Sequence, residues 1–306
     1  MTIQQLRYIV ALNHHRNFVK AAKECLVTQP TLTMQLKKLE DEMGVTLFDR
    51  SSQPLEPTST GIQVILRAQE IVQQSEQLFD FVKGKHQDVS GKFRIGIIPT
   101  LAPYLLPGFL PAFLTNNPKT EPVIEELQTE IILSRLKEGS LDIGILATPI
   151  NEPSIREIPL FYEPFYLYGK QEDIKHLDDS SHLPDKGLLL LEEGHCFRSQ
   201  TLEICKKKAT EDHQLHYKSG SIESLKALVQ KGLGYTLIPA MSAKESDKPF
   251  LGFFKSPQPA REIGLVVHSS FVKENLLEIL RASIIESVPE EFRTDQNYFK
   301  VRWRQL

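Results

Sequence analysis

Five short apolar runs constrain this chain more than any other feature: 93–98, 141–146, 188–191, 235–238 and 263–267. Each is too short for a core helix and long enough for a buried strand. Segments with helical character lie between them, near 102–115, 130–138, 197–208, 222–231 and 272–286. Strands alternating with helices predict an α/β architecture with mostly parallel sheets. Ligands in such sheets sit beyond the carboxyl ends of strands, which points Pro99-Thr100 and Thr129 at a cleft. A threonine there can equally serve only to cap the next helix.

The first 58 residues carry a different pattern. Leu6, Ile9 and Val10 begin a helix with a three-four apolar face. Asn17 caps a second, Phe18 to Cys25, with Ala21 and Ala22 where two helices approach closely. Thr28 caps a third, with Pro30 in its first turn and Leu32, Leu36 and Leu39 facing inward. A tight turn between such helices predicts a helix-turn-helix, and Leu47 to Thr58 reads as a wing of two short strands. The outer face of the third helix presents Gln29, Thr31, Thr33, Gln35 and Lys37, types that meet base edges and phosphates. Arg50 and Ser51 sit on the wing, where backbone phosphates would lie. A merely solvated polar face would carry the same residues. The domain is nearly neutral, so one copy binds DNA weakly and two copies on adjacent half-sites are needed.

A long helix follows, in a segment spanning 59–88. Ile65, Ala68, Val72, Ser75, Phe79 and Val82 form a heptad seam suited to pairing with a second copy, or to packing on its own domain. Gly84, Ser90 and Gly91 suggest a hinge after it.

The 306 residues leave room for two or three folding units. No apolar run approaches the ~20 residues that cross a bilayer, and Met1-Thr2-Ile3-Gln4 opens no secretory segment. A cytoplasmic protein with no membrane contact is expected. The net charge of −3 assigns any DNA contact to a local surface.

Of the three cysteines, Cys196 stands in Glu193-Gly194-His195-Cys196-Phe197-Arg198, between an imidazole and a guanidinium. Nearby positive charge lowers a thiol's pKa, and a thiolate reacts with peroxide to give a sulfenic acid that a second thiol can capture. If 196–205 is helical, nine steps of ~1.5 Å put Cys205 roughly 13 Å away on the opposite face. A disulfide needs Cα atoms within ~7 Å, so the bridge forms only if the segment unfolds or moves. Packing as small hydrophobes is the competing reading of the pair. The spacing lacks the short ligand pairs of a zinc site, so neither metal nor cofactor is expected. Cys25 reads as core packing.

The blocks Phe18-x-x-Ala21-Ala22, Thr28-Gln29-Pro30-Thr31-Leu32-Thr33-x-Gln35-Leu36-x-x-Leu39-Glu40 and Leu47-Phe48-Asp49-Arg50 resemble the LysR-type transcriptional regulators. The second half resembles the OxyR-type hydrogen peroxide sensors of that family. The matching residues are Ile98-Pro99-Thr100, Pro103-Tyr104-Leu105-Leu106-Pro107, Gln128-Thr129, Leu191-Glu192-Glu193-Gly194-His195-Cys196-x-Arg198-x-Gln200 with Cys205, and Arg261-Glu262-Ile263-Gly264-Leu265-Val266.

The resemblance implies an all-α winged helix-turn-helix domain (1–58), a linker and dimerisation helix (59–88), and a two-subdomain, periplasmic-binding-protein-like α/β regulatory domain (89–288). It also implies a peroxidatic Cys196 and a resolving Cys205. Thr100, Thr129 and His195 would bind peroxide, while Arg198 and Arg261 support the thiolate. Gln29, Pro30, Thr31 and Thr33 would enter the major groove of an operator. The implied partners are double-stranded DNA, a second copy in a homotetramer, RNA polymerase and cellular thiol reductants. The implied role is gene regulation rather than catalysis; a regulator sensing a small organic effector in the same cleft is the alternative. Ser199 stands where the family often has an acidic residue. The tail 289–306, with Phe292, Arg293, Tyr298, Phe299, Lys300, Arg302, Trp303 and Arg304, receives no role from the resemblance.

Overall fold

Thr2 starts the first helix, α1 (Ile3–His15), through a capping box. Its hydroxyl accepts from the Gln5 backbone, and the Gln5 side chain accepts from the Thr2 backbone. Asn17 caps α2 (Phe18–Glu24) and Thr28 caps α3 (Gln29–Met43), which ends on Gly44 in the left-handed region at φ 69°. Leu6, Ile9, Leu12, Ala21, Ala22, Leu32, Leu36 and Leu39 form the shared core, with Cys25 half-buried against it. Two-residue strands β1 (Phe48–Asp49) and β2 (Glu56–Pro57) pair as an antiparallel hairpin.

A long helix, α4 (Ser59–Lys83), follows. Gly61 admits it: a Cβ there would stand 2.0 Å from the Leu47 carbonyl oxygen. Ile65, Ala68 and Val72 turn into the α1–α3 core. This corrects their reading as part of a free pairing seam, because a helix leaving a small domain buries its first apolar turns on that domain. Ser75 is half-exposed, and the side chains of Phe79 and Val82 lie outside the described residues, as does Gly84. Gly91 is not in a hinge; it begins the next strand.

The structure is a computed structural model and describes residues 1–52, 54–83, 89–174, 187–192, 194–205, 220–294 and 298–301. It divides into two compact units, one of Met1–Gln87 with Ser270–Lys273 and one of Asp88–Ser269 with Glu274–Leu306. No described helix is long and apolar enough to cross a membrane.

In the second unit β3 (Gly91–Ile97) lies between two parallel neighbours, β4 (Thr120–Glu126) and β5 (Ile143–Thr148). α5 (Ala102–Asn116) and α6 (Thr129–Lys137) are the crossovers. Two long strands, β6 (Ile155–Tyr168) and β9 (Pro259–His268), then run antiparallel to each other, and β9 is antiparallel to β5 as well. β6 continues past β9 to pair with β7 (Thr236–Pro239) and β8 (Leu251–Gly252), both antiparallel.

The expectation of mostly parallel sheets is therefore corrected. Parallel pairing holds around β3 and for the short last strand on β9, and the ladders that β6 and β9 make with each other and with β5, β7 and β8 are antiparallel. β4 and β6 escaped the sequence reading for local reasons. Thr120–Glu126 alternates with charges, and β6 contains Pro159 and Pro164, which argue against a strand. Pro159 sits at a register shift, where a missing donor costs no ladder bond. Leu188 to Leu191 forms no strand, only a bridge from Leu188 to Tyr235.

The second core gathers Phe165, Leu167, Phe197, Ile204, Cys205, Leu225, Leu237 and Val301. Phe197 and Ile204 come from α8 (Cys196–Ile204) and Leu225 from α9 (Ile222–Gln230). A single-turn helix, α7 (Gln171–Ile174), and α10 (Glu274–Ser287) complete the unit. The helix expected at 197–208 forms as α8; 206–208 lie outside the described residues. The tail docks: β10 (Phe299–Lys300) pairs in parallel with Pro259 and Ala260 of β9, and the Val301 N–H donates to the Ala260 carbonyl at 2.9 Å. Arg302, Trp303 and Arg304 lie outside the described residues.

Val301 is 1% exposed, so Val301→Ala should cost about 2 kcal/mol of stability through lost burial and a residual cavity. Urea unfolding of the two proteins checks this; coincident midpoints would mean the tail is not docked.

Candidate functional site

Three chain reversals bring the polar residues of the second unit together. Thr100 follows β3, Thr129 begins α6, and Cys196 begins α8. Gly194 makes the last reversal possible. Its φ is +89°, and a Cβ there would come within 2.7 Å of the Gln128 side-chain oxygen. The turn ahead of Cys196 therefore packs directly on the residue that precedes Thr129. Cys196, Thr100 and Thr129 are all buried.

Arg261 on β9 joins them, 0% exposed. Its Nη1 donates to the Thr100 hydroxyl at 3.0 Å and its Nη2 to the Thr100 carbonyl at 3.2 Å. Its guanidinium lies 5.5 Å from the ring centre of Phe197, the neighbour of Cys196. Nε and Nη2 reach one carboxylate oxygen of Glu163 on β6, at 2.9 and 2.8 Å. Glu163 is equally inaccessible, and its other oxygen accepts from the Met241 backbone at 3.0 Å. Reading the sequence missed Glu163, although a signal existed. Phe161, Glu163 and Phe165 fall on one face by the two-residue strand period, so a carboxylate stands in an apolar row. Only the pairing of β6 with β9 places Arg261 opposite it.

The thiol's electrostatics correct one expectation. Burial pushes the Cys196 pKa up, against the pull of Arg261, of the Thr129 hydroxyl, and of the backbone N–H groups of Phe197 and Cys196 itself. The adjacent cations contribute differently from the reading of the motif. Arg198 turns away to donate to the Leu191 carbonyl at 2.9 Å. The ring of His195, nearly buried, faces Glu192 at 3.6 Å and packs against Gly220. The charge that acts on the sulfur comes from a strand far along the chain.

Two further atoms border this region. The Thr129 hydroxyl and the Gln200 side-chain oxygen are buried and make no hydrogen bond. The Thr129 hydroxyl is nonetheless near enough to the sulfur to favour the thiolate. Gln200 sits one helical turn after Cys196, on the same face of α8. Its amide donates to the Val301 carbonyl at 3.4 Å.

Cys205 caps the far end of α8 in the apolar core, and no disulfide joins the two cysteines. Across this helix their separation follows the ~1.5 Å rise, roughly 13 Å. Glu193 lies outside the described residues. Among the described residues no cluster of His, Cys, Asp and Glu could hold a metal ion.

In the first unit, Gln29, Pro30 and Lys37 are exposed on α3, and Thr31 and Thr33 are half-exposed. Gln35 is partly committed inward, its oxygen accepting from Gln5 at 3.2 Å. Arg50 is tied to the buried carboxylate of Glu40, which also accepts from the Leu47 and Phe48 backbones. Ser51 bonds Asp49 rather than standing clear. Gln35, Arg50 and Ser51 thus help hold the hairpin and helix in place, a role the sequence reading did not give them.

Two family models match the chain: the bacterial regulatory helix-turn-helix of the lysR family over residues 3–62, and the LysR substrate binding domain over 86–288. A hydrogen peroxide-inducible genes activator from Pectobacterium carotovorum is 38% identical, the alignment covering 87% of this chain and 90% of that protein. The full-length structure of a Pseudomonas aeruginosa OxyR carrying a Cys-to-Asp substitution superposes with a TM-score of 0.79 at 35% identity, over 93% and 94% of the two chains. A Corynebacterium glutamicum OxyR with a Cys-to-Ser substitution and bound hydrogen peroxide is similar at a TM-score of 0.59 and 29% identity, over 94% and 92%.

The raised pKa of Cys196 has a kinetic consequence. Alkylation of this thiol should keep accelerating, about tenfold per pH unit, beyond the ~8.5 at which an ordinary thiol levels off. Peptide-resolved mass spectrometry of iodoacetamide labelling against pH tests this, and a plateau near neutrality would contradict it.

Proposed function

Because the chain belongs to the LysR family of bacterial regulators, in its OxyR group of hydrogen peroxide sensors, we propose that Cys196 is the sensing thiol and Cys205 its resolving partner. The protein is a DNA-binding transcription regulator that responds to hydrogen peroxide. The observation that carries the residue assignment is the placement of two buried, unbridged thiols at opposite ends of one helix, the first beside Arg261 and Thr129.

Peroxide would be held by the Thr100 and Thr129 hydroxyls and by Gln200, with His195 at the edge of the site. This positions one peroxide oxygen in line with the sulfur. The Cys196 thiolate attacks that oxygen, the O–O bond breaks, and the departing hydroxide takes up a proton to become water. Arg261 stabilises the charge as it develops. Cys196 is then a sulfenic acid. The Cys205 thiol attacks its sulfur, the S–S bond forms and a second water leaves, so two electrons pass from the thiols to peroxide. A cellular dithiol returns the pair to the reduced form.

The second step cannot occur within α8, because ~7 Å is the limit for bridged Cα atoms. The helix must unwind, which converts oxidation into a change of fold. Arg198 contributes by anchoring the start of α8 to Leu191.

The DNA-contacting residues are Gln29, Pro30, Thr31 and Thr33 in the major groove, with Lys37 on phosphate and Gln35, Arg50 and Ser51 supporting the winged geometry. Residues 1–58 would be the winged DNA-binding domain, 59–88 the linker, 89–288 the sensing domain of two subdomains, and 289–306 a docked tail. Self-association into dimers and then a homotetramer would cover Ile62, Leu66, Ile71 and Leu78, which are exposed apolar residues among the described side chains of α4. The cytoplasm, with its thiol reductants, double-stranded operator DNA and RNA polymerase, is the fitting compartment.

Cys196→Ser should abolish the response to peroxide. Cys205→Ser should still form sulfenic acid but give no stable switch. Intact mass before and after equimolar peroxide, with a DNA footprint on the same samples, reads both. Loss of two hydrogens with a changed footprint is expected of the native protein, and a normal response in Cys196→Ser would refute the assignment. Separately, Thr31→Ala should weaken operator binding by roughly tenfold or more if it reads a base edge, measured as Kd at fixed salt.

A further inference from the structure

We infer that Glu163 is a positioning residue for the sensing reaction: paired with Arg261, it decides how much of that guanidinium's charge reaches the Cys196 sulfur. The inference rests on Cys196 being the reacting thiol, and it goes beyond the reaction itself to what sets its threshold.

The geometry is closed on every side. Glu163 and Arg261 are directly opposed across the β6–β9 ladder. The guanidinium spends Nε and Nη2 on Glu163, and Nη1 and Nη2 on Thr100. Phe197 covers its face. Glu163 receives the Met241 N–H on its remaining oxygen, so neither partner can swing away without losing a bond. Both are 0% exposed, which leaves no water to screen them.

A lone cation in such a place would act strongly on a neighbouring sulfur. A carboxylate 2.8 Å from it turns the monopole into a dipole, and the field of a dipole decays faster with distance. The outcome is a resting thiol whose burial outweighs the cation.

The other groups around the sulfur cannot play this part. His195 at the start of α8 faces Glu192, and Arg198 is held at the Leu191 carbonyl. Thr129 on α6 offers an uncharged hydroxyl. Tyr104 on α5, in the field of both Glu163 and Arg261, bonds Glu223, and its phenol is pushed well above the ordinary range by burial. Glu163 is the anion that touches Arg261.

The balance suits a sensor. A fully unmasked arginine would hold the thiolate permanently and let trace peroxide trip the switch. No arginine at all would leave a buried neutral thiol too slow to react. The paired arginine gives an intermediate setting.

The test is the pH dependence of Cys196 alkylation in the full-length reduced protein, with the second-order rate constant for peroxide measured alongside. Glu163→Gln keeps an acceptor for Arg261 but removes the charge. It should move the alkylation midpoint down by about one pH unit or more and speed labelling at pH 7 about tenfold. Glu163→Asp, which keeps the charge, should bring the midpoint back toward the native value.

Arg261→Gln removes the cation and should raise the midpoint. Because Glu163 acts through Arg261, adding Glu163→Gln to Arg261→Gln should leave the midpoint where the single variant has it. Glu163→Asp carries the test if Glu163→Gln, with its unbalanced buried cation, does not fold: its shorter side chain meets Arg261 less closely, and the midpoint should fall part of the way. Equal midpoints in the native protein and in the Glu163 variant that folds, or a Glu163→Gln effect of the same size without Arg261, would overturn the inference. A shifted midpoint with no peroxide reaction at Cys196 would instead overturn the sensing assignment and leave the electrostatic role of Glu163 standing.

Discussion

A guanidinium sealed from water must have its charge balanced inside the fold, and the placement of Arg261 governs much of the second unit. Its partner Glu163 lies across the strand ladder, so the pair joins β6 to β9, the two long strands that organise the sheet. Its remaining donors hold Thr100 at the end of β3, and its face supports Phe197 at the start of α8. One side chain thereby aligns three segments separated by as many as 161 positions in sequence. Such a buried pair is a weak source of stability, since desolvation offsets most of the attraction. Removing one partner alone costs about 3–5 kcal/mol. Its value here lies in geometry and in the field at the sulfur.

That field explains why the thiol is not simply activated by its sequence neighbours. Desolvation favours the neutral form and a paired arginine only partly opposes it. A thiol placed this way holds its proton more firmly than an ordinary cysteine, although hydroxyls and a cation stand beside it.

α8 is held by the core it packs into. Phe197, Ile204 and Cys205 are buried in one core with Val301 of the tail. Unwinding the helix disturbs side chains whose burial is worth about 1.5–3 kcal/mol each. The docked tail adds to this holding force, because Val301 packs on that core and its carbonyl accepts from Gln200 in the middle of the helix. α8 is thus secured at both ends and at its centre.

The sequence by itself determined the helix-turn-helix unit almost completely. Its caps at Asn17 and Thr28, its inward leucines and its terminal glycine are local signals, and local hydrogen bonding and a 3.6-residue period suffice to read them. It also determined that β3, β5, β7 and β9 are strands and that 196–205 begins a helix with thiols on opposite faces. Tertiary structure decided the rest. β4 and β6 look unlike strands because charges and prolines mask them until partners supply the ladder. The first half of the α4 seam had a core to join. Most of all, the cation that acts on Cys196 is not Arg198, two positions away, but Arg261, because a helix start sends neighbouring side chains apart. Electrostatics follows distance in space, and only the folded sheet sets that distance.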